Sequence, residues 1–351
     1  MSNAAQVEVK GRATRSPLDG VKFDSSAALL EVEDLEVEFH TRDGIAHAVN
    51  KVSFSLGAGE TLGVLGESGC GKSVTAQAIM GILDSPPAKV TGGQVRYRGV
   101  DLLQMDDKVR RHIKANKIAI IFQDALSSLN PVFTVGWQLG ELFRKHQGAS
   151  KAQAKVRAIE LLELVGIPAP ADRVNAYPHQ FSGGMRQRVM IAMALALEPD
   201  IIIADEPTTA LDVTVQAQVM SLLSDLQRDM QLGLILITHD MGVVADVADK
   251  ICVMYAGHAV ERSDVYGIYE NPAHPYTKAL LESIPRVDQK GQELTVIKGL
   301  PPALVNPPSG CSFHPRCAFA RDRCKVDEPP LYEVPGDRQS ACHYWEEVMS
   351  S

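Results

Sequence analysis

No apolar run in the sequence approaches the roughly 18 residues that a membrane-crossing helix needs. The longest, VMIAMALAL (189–197), is half that length and reads as a core helix. Aromatic residues are scarce: 5% of 351, against 45% hydrophobic residues in all. That disfavours an aromatic-rich β-sandwich and suits an aliphatic α/β core. Positive charge is in deficit, with 35 Lys and Arg against 43 Asp and Glu and a net charge of −8, so a protein that coats nucleic acid is disfavoured. Sustained heptads are missing, which argues against long coiled coils, and there is no internal repeat. Residues 1–26 contain no apolar stretch of the kind a secretory signal carries. They read as a mobile tail, and the expectation is a cytosolic chain with reduced thiols.

Two kinds of apolar pattern are present. From Leu30 onward residues alternate, with Leu35, Val37 and Phe39 on one face, and VSFSL (52–56) and QVRYRG (94–99) alternate as well. These are half-buried strands of an antiparallel region. TLGVLG (61–66), KIAIIF (117–122), DIIIAD (200–205) and LGLILIT (232–238) are instead continuously apolar, the mark of parallel strands covered on both faces by helices. Helical stretches, including 151–166 and 214–230, lie between them. After about residue 262 prolines cluster and four of the six cysteines follow. The chain therefore divides into a main domain, 27–262, and a C-terminal extension, 263–351.

GESGCGKS (66–73) follows a buried strand and precedes the helical run AQAIMGIL. It fits G-x-x-x-x-G-K-[ST], whose backbone amides cradle phosphate oxygens, with a helix N-terminus behind them. The loop comprises Gly66, Glu67, Ser68, Gly69, Cys70, Gly71, Lys72 and Ser73, with Val74 just after it. Lys72 can reach the β- and γ-phosphates, and the Ser73 hydroxyl can ligate Mg²⁺. Cys70 fills a small-residue position with no thiol chemistry. DIIIADEP (200–207) ends a second buried strand in Asp205, suited to holding Mg²⁺ through water, beside Glu206, suited to taking a proton from an attacking water. FSGGMRQR (181–188) opens an apolar helix with two glycines, which expose amides in want of an acceptor.

The late cysteines Cys311, Cys317, Cys324 and Cys342 are spaced C-x₅-C-x₆-C-x₁₇-C. Disulfides would suit a secreted scaffold, which nothing here indicates. Structural zinc usually wants pairs two to four residues apart. An iron–sulfur centre takes four thiolates at more varied spacing, and free thiols are the remaining reading. Cys252, in ICVMYAG, reads as a buried strand residue.

Six motifs stand in one order: GESGCGKS, Gln123 closing IIFQD, SGGMRQR (182–188), DIIIADEP, ALD (210–212) and His239 closing LILITHD. Over roughly residues 28–260 this resembles an ATP-binding-cassette (ABC) ATPase. SSLNP (127–131), ENPAHPYTKALLESIP (270–285) and the cysteine-rich tail are similar to the dipeptide and oligopeptide importer branch, in its dipeptide-permease D type. The resemblance implies an α/β P-loop ATPase fold with a parallel core sheet, an antiparallel β-subdomain and a helical subdomain at about 124–182. It also implies a head-to-tail cassette dimer, in which Ser182, Gly183 and Gly184 face the γ-phosphate held by the other cassette. Gln123 would contact Mg²⁺ or the attacking water, His239 would hold the γ-phosphate, and Asp212 would link the two sites. Phe39 is placed to stack on adenine or is one more apolar strand residue, with His40 and His47 as lesser candidates. The resemblance favours a 4Fe–4S cluster on the four cysteines, for which His314 and His343 are not needed.

The partners implied are a second, related ATPase subunit, two transmembrane permease subunits and, indirectly, an extracytoplasmic peptide-binding protein. Short coupling helices of the permeases would meet the surface near 126–139, including Phe133, Val135 and Trp137, unless those residues are ordinary core. The chain would sit at the cytoplasmic face of the membrane and energise import of di- or oligopeptides. A nickel, glutathione or other solute importer is the near alternative. A soluble cassette ATPase of DNA repair or translation is the distant one, since only one phosphate loop is present.

Overall fold

The computed structural model describes residues 18, 21–124, 128–209, 211–284 and 297–351. Most of the N-terminal tail, Ser127 of SSLNP, Ala210 of ALD and Pro285 lie outside the described residues. The strands are β1 (Leu30–Thr41), β2 (Gly44–Leu56), β3 (Thr61–Leu65), β4 (Ala88–Tyr97), β5 (Val100–Asp101), β6 (Ile118–Ile121), β7 (Ile201–Asp205), β8 (Gly233–Thr238), β9 (Lys250–Tyr255), β10 (His258–Asp264), β11 (Tyr332–Val334) and β12 (Arg338–Ser340).

They form two sheets. The alternating segments make a four-stranded antiparallel sheet in the order β2-β1-β4-β5. The continuously apolar segments make the core of an eight-stranded sheet in the order β11-β12-β10-β9-β3-β8-β7-β6. Its centre, from β9 to β6, is parallel, and every residue of β3, β7 and β8 is buried. Helices cover one face of these strands, and the antiparallel sheet with the helix Lys72–Met80 covers the other, so neither face needs polar residues.

Register decides where the chemistry can gather. Leu65 is opposite Thr238, Asp205 opposite Ile237, and Ile121 opposite Ala204. The strands that precede Gly66, Gln123, Glu206 and His239 therefore all finish at one edge of the sheet. Ligands of open α/β sheets bind at that carboxyl edge.

The helices Val135–His146 and Lys151–Leu164 lie between β6 and the helix Gly183–Leu195. Ser150 and Gln153 form a reciprocal capping box at the start of the second, satisfying amides that a helix N-terminus leaves free. Phe143, Leu162 and Ile191 join these helices to the core. VMIAMALAL is a core segment as expected: Val189, Ile191, Ala192 and Leu195 are all buried.

The C-terminal residues are built onto the main sheet. β12 pairs antiparallel with β10, Glu261 facing Ser340. Glu261 is fully buried and accepts from the amides of Ala273 (2.6 Å) and His274 (3.0 Å). Burial pushes its pKa up to about 7, against those hydrogen bonds. His274 in turn caps the helix Pro275–Glu282 through its Nδ1, which accepts from the Tyr276 amide at 3.1 Å. Burial drives the His274 pKa down to about 3, so the ring is neutral. Cys252 is 1% exposed in β9, and burial raises its thiol to about 11. This is the buried strand residue expected of it.

Candidate nucleotide site

The phosphate loop leaves β3 and turns into the helix Lys72–Met80. The turn needs glycine at two points. Gly66 has φ 152° and Gly71 φ 106°, and a side-chain carbon would run into the Met254 carbonyl at the first and the Ala48 carbonyl at the second. Gly69 also has a positive φ, 81°, but open space around it. Ser68 and Gly69 are exposed and Val74 is half-buried, whereas Cys70 is 5% exposed, with burial raising its thiol pKa.

Lys72 is 5% exposed. Its ammonium donates to the carbonyls of Gly66 (2.7 Å) and Glu67 (3.0 Å), so the loop's own backbone aims it. Ser73 Oγ donates to Asp205 Oδ1 at 2.9 Å. The two residues read as Mg²⁺ ligands, 132 positions apart in sequence, therefore meet side by side. Desolvation raises the Asp205 pKa and the adjacent Glu206 charge adds to this, while Ser73 and Lys72 work against them.

Glu206 is the hub of the second half. It sits at φ 47°, a backbone conformation uncommon outside glycine. Gln123 Nε2 donates to its Oε2 at 2.7 Å, Thr209 Oγ1 donates to the same oxygen at 2.9 Å, and His239 Nδ1 lies 3.2 Å from Oε1. All three residues read as catalytic are thus in one hydrogen-bonded group. Thr209 was missing from that reading. Its only signal is its place three residues beyond Glu206, where a short loop can fold back.

The remaining sequence candidates lie elsewhere on the molecule. Ser182 caps the helix Gly183–Leu195, its hydroxyl accepting from the Met185 amide at 3.3 Å. Ser182 and Gly183 are exposed. The two glycines differ: a side-chain carbon at Gly184 would sit 2.5 Å from Val215, whereas at Gly183 it would meet Leu211 at an ordinary 3.5 Å. Gly184 therefore also serves close packing against the helix Val213–Met230. Asp212 caps that second helix, accepting from the Val215 amide at 3.0 Å. Phe39 is half-buried in β1 beside the core, between Ala46 and Ala88 on the neighbouring strands. His40 and His47 flank the Glu38 carboxylate at 3.1 and 3.5 Å.

Cys311, Cys317, Cys324 and Cys342 carry free thiols and line one cavity of about 10 Å³, room for about one water. Among the described residues, no group of three or more His, Cys, Asp or Glu side chains is arranged to hold a metal ion. His343 has both ring nitrogens engaged, by Tyr332 at 3.0 Å and the Asp327 carbonyl at 3.1 Å. His314 Nδ1 contacts the Cys311 carbonyl at 2.9 Å.

A glycine loop with a buried lysine at the end of β3, and the carboxylate pair Asp205 and Glu206 at the end of β7 in the same parallel sheet, are what an ATP-binding cassette requires. Residues 49–209 match the family model for the ABC transporter, and residues 260–324 match the model for the oligopeptide/dipeptide transporter C-terminal region. The chain is 49% identical to the dipeptide transport ATP-binding protein DppD of Escherichia coli over 90% of its own length and 97% of that protein. It is 52% identical to the oligopeptide transport ATP-binding protein OppD of Bacillus subtilis, over 87% of this chain and 86% of that one. Among solved structures it resembles the dimeric ATP-binding cassette MJ0796 in a post-hydrolysis state with ADP and Pi. That match has a TM-score of 0.60 and 28% identity, and covers 67% of this chain and 98% of the other. The chain belongs to the family of ATP-binding proteins of dipeptide and oligopeptide ABC transporters. No helix among the described residues is long and apolar enough to cross a membrane.

Proposed function

We propose that this chain is the ATP-binding and ATP-hydrolysing subunit of an importer for di- or oligopeptides. The observation that carries the reading is the convergence of Lys72, Ser73, Asp205, Glu206, Gln123 and His239 at one sheet edge, in a chain whose relatives are peptide-transport ATPases over nearly its whole length. Lys72 and the loop amides hold the β- and γ-phosphates. Ser73 and Asp205 would hold Mg²⁺, which would supply positive charge beside the phosphates. Glu206 takes the proton of the attacking water, Gln123 senses the metal and the water, and His239 steadies the γ-phosphate. Phe39 stacks on adenine.

The site is completed by a partner cassette. Ser182, Gly183 and Gly184 open a helix of 13 residues at an exposed N-terminus, which favours an anion from outside the chain. Asp212 lies at a neighbouring exposed helix start and couples the two sites. The partner is a related second ATPase subunit. One of the two membrane permeases docks on the apolar groove of about 540 Å³ between the free edge of β6 and the helix Gly183–Leu195, lined by Ile120, Phe122, Ser128, Leu142, Met190 and Met193. Beside it in sequence, Phe133 stacks on Trp137 with ring centres 4.0 Å apart, both rings partly exposed. Val135 is fully buried and belongs to the core. The chain works at the cytoplasmic face, and peptide arrives from an extracytoplasmic binding protein. Reconstituted in vesicles with its permeases and binding protein, the complex is expected to raise its ATPase rate several-fold on adding di- or tripeptides and not on adding nickel or glutathione. The reverse pattern would move the reading to the other solutes.

The four cysteines would hold a 4Fe–4S cluster. The donor set supports this: four unbridged thiols, drawn from 32 residues of sequence, line one cavity, which has room for about one water and must widen to take a cluster. Burial raises Cys317 to about 11 and Cys342 to about 12, so without a cation nearby these thiols stay protonated. Iron would supply the compensating charge and a cross-link for a segment poor in aliphatic residues. Anaerobically purified protein is expected to contain about four iron and four acid-labile sulfide per chain. Iron-free, colourless and fully active protein would overturn a required cluster.

A further inference from the structure

Two side chains from beyond residue 270 grip one residue of the phosphate loop. Arg316 makes a fork to the Glu67 carboxylate, Nη1 to Oε2 at 2.6 Å and Nη2 to Oε1 at 2.9 Å. Tyr276 accepts the Glu67 amide on its hydroxyl at 2.9 Å. The Glu67 carbonyl accepts from Lys72 Nζ at 3.0 Å and from the Cys70 amide at 3.3 Å. Every polar group of Glu67 is thus engaged, and one peptide unit separates the Arg316 fork from the phosphate-binding ammonium.

The clamp is built in rather than draped over the surface. The Arg316 side chain is only 5% exposed. Its Nε donates to the Lys298 carbonyl at 3.1 Å, and its Nη1 lies 3.4 Å from the Tyr255 hydroxyl. A buried guanidinium without its carboxylate would be strongly unfavourable, so the two segments are held to one geometry. Arg316 belongs to the short turn His314–Arg316, between Cys311 and Cys317. The Cys311 amide donates to the Cys324 carbonyl at 2.9 Å, which ties that turn to the cysteine cavity. Phe313, 2% exposed, wedges against Tyr255 and Tyr276 at ring distances of 5.2 and 5.3 Å. The ring that anchors the cysteine turn thus touches the tyrosine that holds Glu67.

We propose that Arg316 is a positioning residue for nucleotide binding: acting through Glu67, it fixes the peptide unit that aims Lys72, which makes the cysteine-bearing segment a working part of the ATP site. The inference rests on residues 66–73 being the phosphate loop. It predicts that loosening the cysteine segment is felt first as weaker ATP binding, before any loss of the cassette's fold.

The test is a titration of the full chain with Mg-ATP, alongside steady-state kinetics and thermal melting. Arg316→Ala is expected to raise Kd and KM for ATP about tenfold while kcat at saturation stays within about twofold. Arg316→Lys keeps charge without the fork and should fall between that variant and wild type. Glu67→Ala should weaken binding to the same degree, and Glu67→Ala/Arg316→Ala no further, because both remove one interaction. Arg316→Ala binding within twofold of wild type, or strictly additive losses in the double variant, would overturn the proposal. A drop in melting temperature with unchanged Kd would also overturn it, as a merely structural contact. Should Arg316→Ala fail to fold, Glu67→Gln decides: weaker ATP binding supports the clamp, and wild-type binding overturns it. Lys72→Ala separates the two readings. If it weakens ATP binding while Arg316→Ala does not, the clamp alone fails. If Lys72→Ala binds ATP normally, the phosphate-loop reading itself falls.

Discussion

Glu206→Gln is expected to lower the ATPase kcat by about 10²- to 10⁴-fold, the range a positioned general base supplies, while ATP affinity changes by no more than a few-fold. The geometry sets this asymmetry. Among the described residues, no hydrogen bond or ion pair joins Glu206 to the phosphate loop's lysine or serine. Its three side-chain hydrogen-bond partners are Gln123, Thr209 and His239, none of which belongs to the glycine loop, and only His239 is assigned to the γ-phosphate. The amide is nearly isosteric with the carboxylate and retains an acceptor oxygen for Gln123 or Thr209. The positive φ of 47° is no harder for Gln than for Glu. What is lost is the capacity to take a proton. ATP should then bind, bring two cassettes together and remain uncleaved, so a stable ATP-loaded dimer is expected by gel filtration or light scattering. Turnover within twofold of wild type would remove Glu206 as the base and point to His239, its neighbour at 3.2 Å.

Lys72→Ala should act on the other parameter, weakening ATP binding by about 10- to 100-fold, the size of one or two charge-assisted hydrogen bonds. Lys72 is buried and held by two carbonyls of its own loop, so removing it takes that donor from the Gly66 carbonyl, leaves the Glu67 carbonyl only the Cys70 amide, and takes the positive charge from the floor of the cradle. Lys72→Arg should not restore affinity. The planar fork of guanidinium is larger than an ammonium, and the Lys72 ammonium lies between the carbonyls of Gly66 and Glu67. Equilibrium binding with a fluorescent ATP analogue distinguishes this from the Glu206 effect. An alanine variant that binds ATP like wild type would exclude residues 66–73 as the phosphate cradle.

The two variants probe parts of the site that were unequally visible beforehand. Gly66, Gly71 and Lys72 could be read from spacing because the constraint on them is local: a short loop must turn twice and free its amides, and only certain residues allow it. The strands are legible for a similar reason. Burial on one face forces alternation in β1, and burial on both faces removes it in β3, β7 and β8. Glu206 and Asp205 were recognisable by the strand they terminate, and Gln123 and His239 only by their order among the other motifs.

Sequence by itself determined the class of fold, through periodicity, the phosphate loop, through residues within about ten positions of one another, and the family, through the order of six short motifs. Tertiary structure alone decided what distant segments do to each other. It brought Ser73 to Asp205 across 132 positions and Gln123 and His239 onto one carboxylate, and it gave Gly184 a packing role against Val215. It also set Arg316, 249 positions away, on Glu67. The physical reason is that parallel strand register and the docking of the C-terminal segment onto β10 fix these distances. A pairing between two side chains leaves no periodic trace along the chain, because its energy depends on separation in space and not on separation in sequence.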